Sequence, residues 1–99
     1  MLQRGYKGKN ILMEKTTLVK NVLGIHAQPA GVIAKIANKA QNQVWLCAGL
    51  IKVDATSIVD ILTLGAKKGT SIVVEIKNSE DIKVLDQIID LFETGFGEL

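Results

Sequence analysis

A tight turn at Gly49, between two short extended segments, constrains the fold of this chain more than any other feature. Residues 43–48 place alternate apolar side chains on one face of a strand, and residues 51–55 continue as a second strand. Two strands joined this closely form a β-hairpin. Because hairpin strands pair antiparallel, the sheet that contains them is predicted to have antiparallel pairing.

Two further strands are predicted from the pattern of apolar residues. Residues 14–22 alternate loosely and are rich in threonine and valine. Residues 70–77 alternate cleanly and place Ile72, Val74 and Ile76 on one face. Both patterns are typical of half-buried strands, so the sheet is predicted to have four strands.

Apolar residues at helical spacing predict three helices. The first has Pro29 in its first turn, where a missing N–H is harmless, and ends near Lys39. Ser57 caps a short second helix that stops at Gly65, and Asn78 caps the third. The third helix buries one apolar stripe, made of Ile82, Leu85, Ile88, Ile89 and Phe92, and Gly95 follows its last turn.

The predicted elements follow the order βαββαβα. This order favours an α+β fold in which a four-stranded antiparallel sheet carries three helices on one face, an open-faced sandwich. The other face of the sheet would carry Gln43, Trp45, Cys47, Lys52, Asp54, Val73 and Glu75. Its few apolar members are either scattered surface residues or a weak patch for self-association.

Length and charge divide the chain into two parts. We expect residues 1–12 to be a flexible N-terminal extension, because they hold three basic residues, no acidic residue and no clear period. Residues 13–99 form one domain, which is nearly neutral with nine basic and ten acidic residues. A neutral domain argues against binding to nucleic acid.

The remaining composition restricts the location and the chemistry. No apolar run approaches the roughly 20 residues needed to span a bilayer, and no signal peptide is evident. The single cysteine, Cys47, cannot form an internal disulfide, which is consistent with a cytoplasmic monomer. With one histidine and one cysteine, the chain is expected to hold neither a metal nor another cofactor.

That one histidine, His26, lies at the predicted start of the first helix. The first N–H groups of a helix have no intrahelical partner and lie at the positive end of its dipole, so they form an anion site. A neutral imidazole at this place can attack phosphorus and leave the new phosphoryl group near the N–H groups of Ala27 and Gln28. From position alone, a loop or capping histidine is the alternative.

Residues 24–30, which read G-I-H-A-Q-P-A, resemble the active-site motif G-I-H-A-R-P-A of the HPr family, the histidine-containing phosphocarriers of the bacterial sugar phosphotransferase system. Residues 52–58 are loosely similar to the family's second signature, K-x-V-N-L-K-S-I, and residues 95–98 to its G-L-G-E ending. The resemblance extends from residue 13 to residue 99.

This resemblance implies a phosphoryl carrier rather than a complete enzyme. His26 would accept a phosphoryl group on Nδ1 from phospho-Enzyme I and pass it to IIA domains of sugar permeases. These partners would dock on the first two helices, at Gln28, Ile58, Val59 and Leu62. Ser57 matches a serine that a dedicated kinase, HPr kinase/phosphorylase, modifies in many bacteria; a helix cap alone is the other interpretation of Ser57.

Two departures from the family pattern affect these expectations. Gln28 replaces an arginine, so its side chain can donate hydrogen bonds but brings no positive charge. Two alternatives for supplying that charge are Lys35 and a partner protein. Thr56 replaces the usual lysine before Ser57, and Asp60 adds a negative charge one turn later, which opposes recognition and phosphorylation of the serine.

Two other functions stay open at the level of sequence. One is a regulatory paralogue within the family, for example of a nitrogen-type system, with little sugar transport; Gln28 favours this alternative. The other is a binding module that transfers nothing, such as a ferredoxin-like ligand- or RNA-binding domain. The order of the elements fits this module as well as it fits a phosphoryl carrier. His26 discriminates between them.

Overall fold

A computed structural model describes residues 13–99, so the predicted extension at residues 1–12 lies outside the described residues. The four strands are β1 (Met13–Leu18), β2 (Val44–Ala48), β3 (Ile51–Asp54) and β4 (Ser71–Ile76). The three α-helices are α1 (Ala27–Ala37), α2 (Ile58–Thr63) and α3 (Ile82–Glu93). Short 3-10 turns at Ser79–Asp81 and Gly95–Gly97 precede and follow α3.

The strands form one antiparallel sheet in the order β1-β4-β2-β3. The hairpin at Gly49 is confirmed: β2 pairs with β3 from Trp45↔Asp54 to Ala48↔Ile51. Gly49 has a φ of 60°, a left-handed conformation that glycine adopts without steric penalty. β4 follows α2 in the chain. In the sheet it is inserted between β1 and the hairpin formed by β2 and β3.

The helices cover one face of the sheet, and the core lies between the two layers. α3 packs on β1 and β4, and α1 packs against α2 and α3. The predicted inward residues Ile72, Val74 and Ile76 are fully buried, as are Ile88 and Phe92 of α3. The α+β open-faced sandwich predicted from the element order is therefore confirmed.

The uncovered face of the sheet is less apolar than its composition indicates. Cys47 is buried, and Trp45 and Val73 are half-buried. Lys52 forms an ion pair with Glu75 at 2.9 Å and places its Nζ 5.0 Å from the centre of the Trp45 ring. This ion pair places polar groups among the apolar side chains of the face, and the two interpretations of the face both stay open.

The predicted extent of the first strand was wrong for residues 19–22, because β1 ends at Leu18. The backbone N–H of Val19 still donates to the carbonyl of Thr70, at 3.0 Å. At Asn21 the chain turns: its carbonyl accepts from Gly24 N–H at 3.1 Å, and its side-chain amide donates to Gly24 O at 2.8 Å. These local bonds compete with strand pairing and end it.

Helix ends differ from prediction by a few residues where side chains bond to the backbone. α1 ends at Ala37 instead of near Lys39, with the Asn38 side-chain amide donating to Ala34 O at 2.7 Å. Asn78 acts as a cap, but for the 3-10 turn, since its Oδ1 accepts from Glu80 N–H at 3.1 Å. α3 therefore begins at Ile82. Within residues 13–99, no helix combines the length and the apolar character required to cross a membrane.

Candidate functional site

His26 is the N-cap residue of α1, and its backbone is extended, with φ −91° and ψ −169°. The imidazole side chain is 33% exposed. Pro29 lies in the first turn and is buried, as predicted. The ring is therefore anchored by a helix end while one part of it remains open to a partner.

Two backbone N–H groups at this helix end have no acceptor. Pro29 has no N–H, and the N–H of Ala30 already donates to His26 O at 3.1 Å. The N–H groups of Ala27 and Gln28 find no acceptor among residues 13–99, and the first turn contains no acidic residue. These are the two donors that the sequence analysis expects to form an anion site.

The carboxylate of Glu98 contacts the imidazole of His26. Its Oε2 lies 2.7 Å from the ring nitrogen Nε2. Its other oxygen, Oε1, accepts from the side-chain amide of Asn21 at 2.9 Å. The hydrogen bond from Asn21, followed by that from His26, holds the pKa of Glu98 below its usual value, against a smaller effect of burial. Glu98 is therefore ionised at neutral pH and can only accept hydrogen bonds.

An ionised carboxylate at Nε2 determines the tautomer of the neutral ring. Because Glu98 only accepts, Nε2 of His26 must carry the proton, and Nδ1 carries the lone pair. Nδ1 has no hydrogen-bond partner within the described part of the chain. The arrangement presents one nucleophilic nitrogen at the end of a helix.

The loop before α1 is held tightly against the loop that follows α2. Gly24 has a φ of 68°, and a Cβ placed on it would lie 2.5 Å from the carbonyl oxygen of Ala66. The next residue, Ile25, donates its N–H to the same oxygen at 3.0 Å. This close approach requires glycine and sets the position from which His26 begins the helix.

Gln28 is exposed and lines a shallow groove of about 180 Å³ together with Pro29, Val32, Phe96, Gly97 and Glu98. No cationic side chain of the described residues lines this groove. The sequence analysis named Lys35 as one alternative source of the missing positive charge. Lys35 lies in the last turn of α1, about 10 Å from residue 28 along the helix axis. Gln28 therefore places a neutral side chain in this groove, where an arginine would place a cationic one.

The predicted docking residues of α2 lie on its outer side. Ile58, Val59 and Leu62 are 44%, 71% and 40% exposed, whereas Ile61 is fully buried. α2 packs beside α1, with Ile58 Cδ1 about 3.9 Å from where a Gly31 Cβ would lie. The exposed apolar side chains of α2 thus adjoin the helix that begins at His26.

Ser57 is the N-cap of α2, as predicted: its Oγ accepts from the N–H of Asp60 at 3.1 Å. The cap follows a turn in which Asp54 accepts from the hydroxyl and the N–H of Thr56, at 2.7 and 2.8 Å. These hydrogen bonds lower the pKa of Asp54, the Thr56 hydroxyl contributing most. Ser57 is half-buried in this turn.

Other reactive groups take no part in this site. Cys47 is buried in β2 with its Sγ 3.4 Å from Glu75 Oε2, and burial followed by this contact raises its pKa to about 11. The thiol is therefore protonated and unreactive near neutral pH. Among residues 13–99 no cluster of His, Cys, Asp and Glu side chains could hold a metal ion.

Sequence reasoning identified His26, Ala27 and Gln28 but missed Glu98 and Asn21. A signal existed for Glu98 in the Gly-Phe-Gly-Glu ending, but nothing local connected it with a histidine 72 positions away. Sequence also missed Val22 and Leu23, which are 79% and 71% exposed in the loop just before His26. Val22 belongs to the segment that the apolar pattern predicts as the first strand.

The chain was compared with known families, proteins and structures. Residues 13–94 match the family model described as "PTS HPr component phosphorylation site". A phosphocarrier protein HPr of Chlamydia pneumoniae is 40% identical over 87 residues, which cover 88% of this chain and 81% of that protein. A phosphocarrier protein NPr of Proteus mirabilis is 35% identical over 81 residues, covering 81% of this chain and 90% of that protein.

Solved structures show the same likeness. A crystal structure of HPr-C-His from Thermoanaerobacter tengcongensis superposes with a TM-score of 0.79 at 33% identity, covering 88% of this chain and 98% of that one. The family model, the relatives and the solved structure agree with one another. The residues matched by the family model include His26.

Proposed function

This chain belongs to the HPr family of phosphocarrier proteins, and we propose that it accepts a phosphoryl group on Nδ1 of His26. The observation that supports this acceptor is the hydrogen bond from Nε2 to Glu98, which leaves the lone pair on Nδ1. The N–H groups of Ala27 and Gln28, at the positive end of α1, are the donors available to the arriving phosphoryl oxygens.

The transfer conserves atoms and electrons without a metal or cofactor. The Nδ1 lone pair forms the N–P bond while the bond from phosphorus to the donor atom breaks and its electron pair leaves with the donor. The proton on Nε2 stays, so the phosphorylated ring is cationic and faces the Glu98 carboxylate. In the second half of the cycle an acceptor atom of the next protein forms its bond to phosphorus while the N–P bond breaks and its electron pair returns to Nδ1. The chain is thereby regenerated and acts as a carrier rather than a complete enzyme.

We propose phospho-Enzyme I as the donor and IIA domains of permeases as the acceptors. Gln28, Ile58, Val59 and Leu62 provide the docking surface, since they are exposed on neighbouring helices beside His26. An exposed apolar patch rimmed by polar groups is typical of transient protein–protein contact. Val22 and Leu23 are also exposed and lie in the acceptor loop, residues 19–25 just before His26, so we include them in this surface.

Ser57 is proposed as a secondary site, modified by a kinase of the HPr kinase/phosphorylase type. Its Oγ already lies at the N-terminus of α2, where a phosphate is favoured by the free N–H groups. Asp60 in the first turn acts against that charge. The cap therefore remains the primary role of Ser57, and any modification takes place against this repulsion.

The test is phosphotransfer in solution. Incubation with phosphoenolpyruvate and Enzyme I should attach one acid-labile, base-stable phosphate, measured by intact mass and by ³¹P NMR. His26→Ala should abolish the adduct, whereas Ser57→Ala should leave it unchanged. The absence of an adduct with several Enzyme I homologues would overturn the proposal and favour a binding module that transfers nothing.

A regulatory paralogue is the second candidate function, supported by the similarity to a protein named NPr and by Gln28. Both candidates use His26 in the same way and differ only in the partners. Transfer from the phosphorylated chain to IIA domains of sugar type and of nitrogen type, measured side by side, separates them. Faster transfer to the nitrogen-type domain would favour the regulatory role.

A further inference from the structure

The C-terminal end of the chain is built to bring a carboxylate to the acceptor histidine. After α3, Gly95, Phe96 and Gly97 have φ values of 60°, 56° and 75°, three left-handed residues in succession. Phe96 is the only residue other than glycine with positive φ among those described. Such a conformation costs about 1–2 kcal/mol for a non-glycine residue and persists where surrounding structure enforces it.

Packing provides that enforcement. The Phe96 ring meets the ring of Phe92 edge to face, with centroids 4.9 Å apart, and Phe92 is fully buried in the core. The turn at Gly95–Gly97 is thereby fixed to the end of α3 and directs Glu98 toward the start of α1. Without this turn, Glu98 would not reach His26.

Both oxygens of Glu98 are engaged at the site. Oε2 lies 2.7 Å from His26 Nε2, and Oε1 accepts from Asn21 Nδ2 at 2.9 Å. Asn21 is fully buried, and the same amide group donates to Gly24 O at 2.8 Å. Asn21 therefore connects the acceptor loop and the carboxylate in one rigid arrangement.

We propose that Glu98, held by Asn21, is the positioning residue of the phosphoryl acceptor: it keeps the proton on Nε2, orients the Nδ1 lone pair outward and stabilises the cationic ring formed on phosphorylation. This inference rests on the proposed function of His26. Glu98 does not touch the phosphoryl group, since it binds the opposite nitrogen of the ring. Its role is to determine which nitrogen reacts and how readily the ring accepts positive charge.

The test uses two variants of the carboxylate. Glu98→Gln removes the charge and leaves one carbonyl oxygen for two donors, the Nε2–H of His26 and the side-chain amide of Asn21, whereas Glu98→Ala removes every acceptor. Glu93→Gln is the matched control, because Glu93 is another glutamate near the end of α3 but binds Lys20 and Thr17. Thermal melts establish that each variant is folded.

Two readouts test the positioning role. In ¹⁵N NMR of the neutral ring, the wild type should show the Nε2–H tautomer alone, whereas Glu98→Gln, whose amide can also donate to Nε2, and Glu98→Ala should both show a mixture. The phosphotransfer rate from Enzyme I should fall about tenfold in Glu98→Gln, since a hydrogen bond to a charged group is stronger than a neutral one. Glu98→Ala should lose more, and Glu93→Gln nothing.

The outcomes also distinguish this inference from the proposed function. If the wild type is phosphorylated and the Glu98 variants match it in tautomer and rate, the positioning role is wrong while the carrier function stands. If the wild type takes up no phosphate, the carrier function fails and the positioning role falls with it.

Discussion

At the scale of single residues, the site consists of one nucleophilic nitrogen, two backbone donors and one carboxylate. His26 supplies the nitrogen, and the N–H groups of Ala27 and Gln28 supply the donors. The carboxylate of Glu98 serves the far nitrogen of the ring. The side chain at position 28 adds only neutral hydrogen bonds, so the phosphoryl charge is met mainly by the helix end.

Replacing Gln28 by arginine is expected to raise the rate of phosphotransfer from Enzyme I about tenfold. A charged hydrogen bond contributes roughly 1–2 kcal/mol more than a neutral one, which corresponds to about a factor of ten. Single-turnover kinetics with Gln28→Arg measures the effect. Gln28→Lys is the control for charge alone, because an ammonium cannot bind phosphate through two parallel hydrogen bonds.

The same groove contains Glu98, and this makes the result informative in either direction. A guanidinium at position 28 lies within reach of both the phosphoryl group and the Glu98 carboxylate. An unchanged or lower rate in Gln28→Arg would mean that glutamine is an adaptation that keeps Glu98 on His26.

At the scale of elements, the position of His26 depends on the contact between two loops. Gly24 approaches the carbonyl of Ala66 so closely that a Cβ would lie 2.5 Å from its oxygen. The hydrogen bond from Ile25 to the same oxygen, at 3.0 Å, keeps the loops together. The start of α1 is therefore set by the loop after α2, not by α1 itself.

Gly24→Ala is expected to destabilise the protein more than an equally strained alanine elsewhere. Gly65→Ala is the matched control: its φ of 56° is also left-handed, but no atom lies within 4 Å of the added Cβ. The control should lose about 1–2 kcal/mol of unfolding free energy, and Gly24→Ala should lose this and a further contribution from the clash. Urea denaturation measures both.

Function provides a second measure of the same substitution. Because Gly24→Ala must shift the acceptor loop, its phosphotransfer rate should fall under conditions where both variants are fully folded, while Gly65→Ala keeps its rate. Equal losses of stability in the two variants would show that the loop contact tolerates a side chain and that only backbone conformation matters.

Local signals predicted most elements well but not all of their limits. The hairpin at Gly49, the cap at Ser57 and the apolar stripe of α3 depend on neighbours within a few residues, and each was confirmed. The end of β1 was predicted too late because Val22 fits an alternating pattern. The turn at Asn21 depends on bonds to Gly24, which a strand period cannot reveal.

At the scale of the whole molecule, contacts between carboxylates and the rest of the fold determine its response to acid. Glu93 at the end of α3 accepts from Lys20 and from Thr17, and these bonds, that of Lys20 first, lower its pKa. The pKa values of Asp54 and Glu98 are lowered as well. These contacts connect α3, the acceptor loop and the turn before α2 to their neighbours.

The stability they contribute should be lost at low pH. A carboxyl group whose pKa is lower in the folded state contributes fully above its unfolded value, about 4, and progressively less as pH falls through the folded value. The melting temperature should therefore be flat from pH 8 to about 5 and decrease below about 4. Because these groups are exposed to solvent, salt should weaken the effect.

Glu93→Gln tests this pH dependence. The variant should melt below the wild type at pH 7, and the difference should shrink as the pH falls below about 4 and through the lowered pKa of Glu93 in the folded wild type. A difference that stays constant over this pH range would assign the loss to packing or to the neutral hydrogen bond instead.

Local features of the sequence were enough to predict the candidate site at His26 and the order of the elements. One histidine before a helical pattern and one hairpin between alternating segments are local features, because caps, turns and periods extend over only a few residues. They sufficed for the acceptor His26, its two backbone donors and the open-faced sandwich.

The way in which His26 is held depends on contacts that form only in the folded chain. The insertion of β4 between β1 and β2, the approach of Gly24 to Ala66 and the arrival of Glu98 at His26 join residues far apart in the chain. Such pairs form because burial of the common core brings the chain ends together, and no local pattern encodes which side chains then meet.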